Sequence, residues 1–90
     1  MRAFFTVKVK IENRPFTFNV SASPNKDFTQ YYFKIEDASK ADQYFANGVA
    51  MIYFTVTDHF KWSADQESDK ILTIISNEIR RQKMKWRQHV

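Results

Sequence analysis

The first 22 residues alternate between apolar and polar side chains with a period of two. Such alternation is typical of a strand with one buried face. In the first predicted strand the apolar positions are Phe5, Val7, Val9 and Ile11. In the second they are Phe16, Phe18, Val20 and Ala22. Only a short connection at Asn13 and Arg14 separates the two runs, so the sequence predicts a β-hairpin.

Two more strands are predicted before residue 60. The third covers residues 28–36, and its expected buried side chains are Tyr31, Phe33 and Ile35. The fourth runs from residue 50 to about 57, and its expected buried side chains are Ala50, Ile52, Phe54 and Val56. Asp58 then falls on the apolar parity, which predicts a bend or the strand end near residues 57–59. Phe60 and Trp62 are expected to close one end of the core.

The segment between these two strands is ambiguous in sequence. Residues 38–46 fit either a short helix capped by Asp37 or an irregular loop. Asn47 and Gly48 follow, and Gly48 is the single glycine of the chain. A turn with positive φ is therefore predicted at Gly48.

Helical periodicity replaces the alternation after residue 62. The apolar positions Ile71, Leu72, Ile75 and Ile79 form one stripe of a 3.6-residue helix. Ser63 is the expected N-cap, with Gln66 completing a capping box. The whole chain, residues 1–90, is thus predicted to be one small α+β domain. Its expected architecture is a meander-like, four-stranded antiparallel sheet with one long C-terminal helix on one face.

Positive charge is concentrated after residue 79. The chain has 14 Lys and Arg against 10 Asp and Glu, and residues 80–90 hold basic residues and no acid. Trp86 lies seven residues after Ile79 and so returns to the apolar stripe, which predicts a helix end that overhangs the sheet or reaches its rim. These cations would either complement the helix C-terminus or contact a partner or nucleic-acid phosphates. The candidate contact residues are Arg80, Arg81, Lys83, Lys85, Trp86 and Arg87.

The second candidate surface is the polar face of the predicted sheet. Tyr32, Met51 and Tyr53 would form a small patch there for a dimer contact. Lysine with interleaved tyrosine is also a composition that binds single-stranded nucleic acid. The remaining residues expected on this face are Lys8, Lys10, Thr17, Asn19, Lys34 and Thr55.

Catalytic and metal-binding signals are weak. Asp58 and His59 are adjacent, so in a strand they point to opposite faces and make a poor dyad. The chain has no cysteine and no glycine-rich loop, so no thiolate metal site or phosphate loop is expected. The sequence therefore predicts no enzyme, no cofactor, no metal and no small-molecule ligand. It shows neither an apolar signal-peptide region nor an apolar run of about 18 residues, which predicts a cytoplasmic protein without a membrane partner.

Two functions follow from these patterns. The favoured one is a non-enzymatic protein-interaction module, with a second copy of the chain or another protein as partner. The alternative is a nucleic-acid-binding domain that uses the basic helix end and the Lys/Tyr sheet face. The predicted element order is similar to that of the Whirly and coactivator-type single-stranded-DNA-binding domains, although their motif residues are absent.

Overall fold

The computed structural model of the protein describes residues 2–38, 45 and 48–87. It shows an antiparallel sheet in the order β1-β2-β3-β4-β5, followed by one long and one short helix. The predicted α+β class and meander order are confirmed, and a short fifth strand is added. The elements are β1 Ala3–Ile11, β2 Arg14–Pro24, β3 Gln30–Asp37, β4 Val49–Phe54, β5 His59–Lys61, α1 Gln66–Arg81 and α2 Lys83–Trp86.

The predicted hairpin is present, and its turn lies one residue earlier than expected. Ile11 pairs with Arg14, so Glu12 and Asn13 form a two-residue loop. Both have positive φ, 51° and 64°, as a type I′ turn requires. That turn fixes a register in which the apolar residues of both strands share the buried face.

The expected parity of β4 is wrong. Met51 and Tyr53 are buried, whereas Ile52 and Phe54 are only partly buried and lie on the opposite side. Residues directly paired in an antiparallel ladder project from the same face. Tyr53 pairs with Tyr31, which is buried, and this pairing places Tyr53 in the core. Because β4 is apolar on both faces, alternation could not decide between the two orientations.

The predicted bend after β4 is confirmed. Residues 55–58 form a turn that ends at Asp58 with φ 52°, and β5 then pairs antiparallel with β4. Phe60 is buried and Trp62 packs against the core, so the predicted closure of this end is also confirmed. The possible short helix at 38–46 lies almost wholly outside the described residues. Gly48 has φ +80°, as predicted.

Helix α1 begins at a different cap from the one expected. Asp65, and not Ser63, is the N-cap, and its carboxylate accepts a 2.8 Å hydrogen bond from the Ser68 backbone N–H. The Trp62 indole donates a 2.8 Å hydrogen bond to Asp69, which ties the preceding loop to the first turn. The predicted apolar stripe is confirmed, and its buried residues are Ile71, Leu72, Ile75 and Ile79.

The continuous helix expected through residue 87 is interrupted at Gln82. Its backbone N–H donates to the Ile79 carbonyl at 3.0 Å, and α2 then begins in a new direction. Trp86 is thereby buried, and its indole N–H donates to the Ile79 carbonyl at 2.9 Å. The indole ring meets Phe33 edge-on at 4.8 Å and Tyr53 at 5.2 Å between ring centroids. Through Trp86 this segment contributes to the core, whereas Arg81, Met84 and Lys85 are exposed.

Both helices lie on one side of the sheet and approach β1 most closely among the strands. The buried stripe of α1 packs with the buried residues of the sheet in a single cluster. On the opposite side of the sheet the side chains are exposed or only partly buried. Within the described residues, that side is left without a covering helix.

Candidate functional site

Two of the predicted contact cations are bound within the molecule. Lys83 Nζ lies 2.8 Å from Asp58 Oδ1, and Arg80 Nε lies 3.6 Å from the same oxygen. Arg80 also donates through Nη2 to the Asp58 carbonyl at 2.9 Å, while its guanidinium lies 5.1 Å from the centroid of Phe60. These contacts fasten the C-terminal segment to the turn before β5.

Asp58 is the centre of this cluster. Its carboxylate also accepts a 2.6 Å hydrogen bond from the hydroxyl of Tyr53. Hydrogen bonds from Lys83 and Tyr53 lower the pKa of Asp58 to about 2. Burial, followed by the hydrogen bond to Asp58, raises the pKa of the Tyr53 phenol. The sequence does not reveal this role of Asp58, because Arg80 and Lys83 are 22 and 25 residues away.

The other predicted contact residues at this end do not gather on one surface. Trp86 is 2% exposed, so a base or a partner could not reach its ring without opening the core. Arg81 lies 3.7 Å from Glu78. Lys85 is exposed and Arg87 is partly buried. The burial of its ring does not favour Trp86 as a contact residue for a base or a partner.

The uncovered side of the sheet, called here the outer face, is defined by the strand registers. Residues that pair directly on neighbouring strands project from the same face of the sheet, so the strand pairings determine which residues belong to the outer face. It consists of Phe4, Thr6, Lys8, Lys10, Pro15, Thr17, Asn19, Ser21, Ser23, Gln30, Tyr32, Lys34, Glu36, Ala50, Ile52, Phe54, His59 and Lys61.

The outer face is basic. It carries four lysines against one acidic side chain among the residues just named, Glu36. Glu36 lies 3.3 Å from Lys34, and both side chains are about half exposed, at 48% and 60%. Arg2, also exposed, precedes the first strand. The positive charge of this face is thus largely uncompensated within the described structure.

Aromatic side chains interrupt the lysines on the outer face. Phe4 is 75% exposed and Tyr32 is 46% exposed, whereas Phe54 is partly buried. Tyr32 pairs directly with Ile52, so Phe54 is its diagonal neighbour, at roughly 7–8 Å between Cα atoms. Of the predicted sheet-face patch, Tyr32 is exposed as expected.

Met51 and Tyr53, the other two residues of that patch, are buried and do not reach the outer face. Ile52 and Phe54 take their places there. Phe4, which sequence analysis did not select, has the same parity as Thr6 and Lys8. In a strand, this shared parity predicts that Phe4 lies on the same face as Thr6 and Lys8.

A shallow groove of about 510 Å³ lies on the β1–β3 part of the outer face. Asn19 and Glu36 face each other across β2 and β3 within it, and Phe4 borders it. Gly48 adjoins the groove, since a Cβ atom there would lie 2.7 Å from Lys34 Cε. The lining residues are Arg2, Phe4, Phe5, Thr6, Asn19, Val20, Ser21, Lys34 and Glu36.

Asp58 and His59, the adjacent acid and histidine of the sequence, have different environments in the structure. Asp58 is engaged by the C-terminal segment, while His59 belongs to the outer face and is exposed. No group of three or more potential metal-ligating side chains occurs in the described ranges. None of the described helices combines the length and apolarity needed to cross a membrane.

No family model, curated protein or solved structure matches this chain. A functional hypothesis must therefore rest on the geometry of the outer face and of the Asp58 cluster.

Proposed function

We propose that this chain is a non-enzymatic domain that binds single-stranded nucleic acid on the outer face of its sheet. The proposal is carried by one observation, the coincidence of lysines that outnumber the acidic side chains with exposed aromatic rings on a face that no described helix covers. It retains the Lys/Tyr sheet face of the sequence-based alternative and drops the basic helix end as the contact surface.

The charge of the outer face favours a polyanionic partner. Lys34 and Lys61 flank Tyr32 and Ile52, and Glu36 is the single acidic residue of the face. Phosphates that contact such lysines release condensed counterions, and this release supplies affinity at low salt. Asp58 neutralises part of the charge of Arg80 and Lys83, and Glu36 neutralises part of the charge of Lys34.

The exposed rings favour a single strand over a duplex. Bases of a single strand can stack on aromatic side chains, whereas bases in a duplex are already stacked and paired. Tyr32 and Phe54 are diagonal neighbours on adjacent strands, and Phe4 lies two strands from Tyr32. The rings are therefore spread across the face, so that a strand crossing the sheet would meet them in succession.

A homodimer or another protein contact is the second candidate. It is favoured by the exposure of large apolar side chains, above all Val56 and Met84, each at 87%, and Phe4 at 75%. A two-fold dimer through the outer face would, however, bring one basic face against another. Sedimentation velocity at high protein concentration tests the homodimer, because a dimer through the outer face would cover the proposed nucleic-acid contacts. The cytoplasmic location expected from the sequence stays a prediction.

The first experiment compares two double variants that each remove two positive charges. Lys34→Gln with Lys61→Gln changes the outer face, and Arg81→Gln with Lys85→Gln changes the exposed cations of the C-terminal segment. Fluorescence anisotropy measures binding of a labelled 12-nucleotide single strand at 50 and 200 mM salt. We expect roughly tenfold weaker binding at low salt for the outer-face variant and less than about threefold for the control.

The salt dependence gives a second measure from the same titrations. The slope of log affinity against log salt should fall in magnitude by about 1.4 in the outer-face variant, because each lost phosphate contact on a single strand removes roughly 0.7. Equal losses in both variants, or no binding by the parent protein at 50 mM salt, would contradict the proposal. Truncation after Ile79 is not a suitable test, because it also removes Trp86 from the core.

A further inference from the structure

We infer, on the basis of the proposed function, that the groove beside Phe4 is a subsite for one nucleobase that carries an exocyclic amino group. Adenine, cytosine and guanine have such a group, whereas thymine and uracil do not. The groove would then give the domain a preference for certain bases, whereas the lysines and the other aromatic rings of the outer face would contact nucleic acid of any sequence.

The size and border of the groove fit a single base with its sugar. Its volume of about 510 Å³ falls within the roughly 300–1,000 Å³ of small-molecule sites. Phe4 borders the groove with three quarters of its surface exposed, so its ring is available to stack on a base. Arg2 also lines the groove and can contact a phosphate next to that base, while Lys34 is paired with Glu36.

The polar groups inside the groove favour an amino donor. Asn19 and Glu36 are directly paired across β2 and β3, so both side chains project into the same space. A carboxylate only accepts hydrogen bonds, whereas a side-chain amide both donates and accepts. Glu36 can therefore accept from an exocyclic amino group while Asn19 pairs with the neighbouring ring nitrogen or carbonyl. Thymine and uracil offer only their ring N3–H as a donor, and it lies between two carbonyl oxygens, so a carboxylate that accepts from it would face at least one of these oxygens.

The Glu36 carboxylate is held near the groove by its neighbours. Lys34 Nζ lies 3.3 Å from Glu36 Oε1. Gly48 leaves the space that these two side chains occupy, since an added Cβ would lie 3.4 Å from Glu36 Cγ and still closer to Lys34. The acceptor is thus positioned by the fold before any base enters.

The test measures a ratio of affinities, which cancels most effects of charge on overall binding. Three nine-nucleotide strands compete for the protein in anisotropy experiments at 50 mM salt: all thymine, thymine with one central adenine, and thymine with one central cytosine. The parent protein should bind the adenine or cytosine strand roughly five- to tenfold more tightly than the all-thymine strand. In the double variant Asn19→Ala, Glu36→Gln this ratio should fall below about twofold.

A matched control comes from the same strand of the sheet. Ser23→Ala also changes a polar side chain of the outer face, but Ser23 does not line the groove, so the preference should persist. If the parent binds all three strands equally, the base subsite is refuted while the proposed function stands. If it binds none of them, the proposed function itself fails.

Discussion

The C-terminal segment 80–87 and the outer face of the sheet have similar compositions and different roles. Each combines lysine or arginine with aromatic rings. In the C-terminal segment two cations contact Asp58 and the ring of Trp86 is buried. On the outer face the lysines face one acidic side chain, and the rings of Phe4 and Tyr32 are open to solvent.

This difference shows that a run of basic residues in the sequence is a poor guide to where positive charge is left unpaired in the fold. What matters is the charge left after acidic neighbours in space have been taken into account. Asp58 is separated from Arg80 by 22 positions, so no local window of sequence reveals their contact. The lysines of the outer face are spread over three strands, and no local window reveals their proximity either.

The largest expected effect comes from Ile75→Asp, which would break the packing that holds both regions in place. Ile75 is fully buried in the stripe of α1. An unpaired carboxylate at this position should cost at least about 3 kcal/mol, a large part of the stability of a small domain. Circular dichroism with urea titration measures the loss. A variant that unfolds at the parent's urea midpoint would refute the packing of α1 on the sheet.

The next prediction compares one aromatic residue from each region, Trp86 of the C-terminal segment and Phe4 of the outer face. Trp86→Ala should lower the free energy of unfolding by about 3–5 kcal/mol, because it removes a buried indole and its hydrogen bond. Phe4→Ala should change it by less than about 0.5 kcal/mol, because most of Phe4 is exposed. Urea denaturation of both variants provides the measurement. Similar losses in both would contradict the contrast between the two regions.

Asp58→Asn tests the neutralisation of the C-terminal cations. The pKa of Asp58 is lowered to about 2, so its ionised form stabilises the fold above pH 4 and this contribution is lost between about pH 4 and pH 2. The variant should be less stable than the parent at pH 7, by about 1 kcal/mol given the exposure of the site. Urea midpoints across pH 2–7 should converge at the acidic end. A difference in urea midpoint that stays constant from pH 2 to pH 7 would contradict a stabilising role of ionised Asp58.

The smallest expected effect concerns the cap of the helix that carries the C-terminal segment. Asp65→Ala removes the side-chain acceptor for the Ser68 N–H and should cost roughly 0.5–1 kcal/mol. Ser63→Ala lies outside the cap and should leave stability nearly unchanged. Thermal melts of the two variants at neutral pH compare them. A larger loss of stability for Ser63→Ala than for Asp65→Ala would instead support the capping box that the sequence predicts.

Much of the fold could be predicted because local patterns coincide with the final environment. In β1, β2 and β3 one parity is apolar and the other largely polar, so burial follows from alternation. The stripe of α1 is equally unambiguous. Proline and turn-forming residues between these elements also predict where the chain connects one strand to the next.

The candidate site was harder to predict because its decisive contacts are not local. In β4 both parities are apolar, and only the pairing with β3 assigns Tyr53 to the core and Phe54 to the outer face. Trp86 was correctly placed on the stripe of Ile79, but the break at Gln82 that carries it inward has no clear sequence signal. Two neighbouring residues, Ser63 and Asp65, can both cap a helix, and local chemistry does not choose between them.

The burial of Trp86 has a consequence for the protein during its synthesis. The rings of Tyr31, Phe33 and Tyr53 are all made before it, yet each packs against its indole in the finished fold. At roughly 5–20 residues per second, the 24 residues from Trp62 to Trp86 take on the order of 1–5 s. Until Trp86 has been made, these three rings lack a packing partner that each of them has in the finished fold.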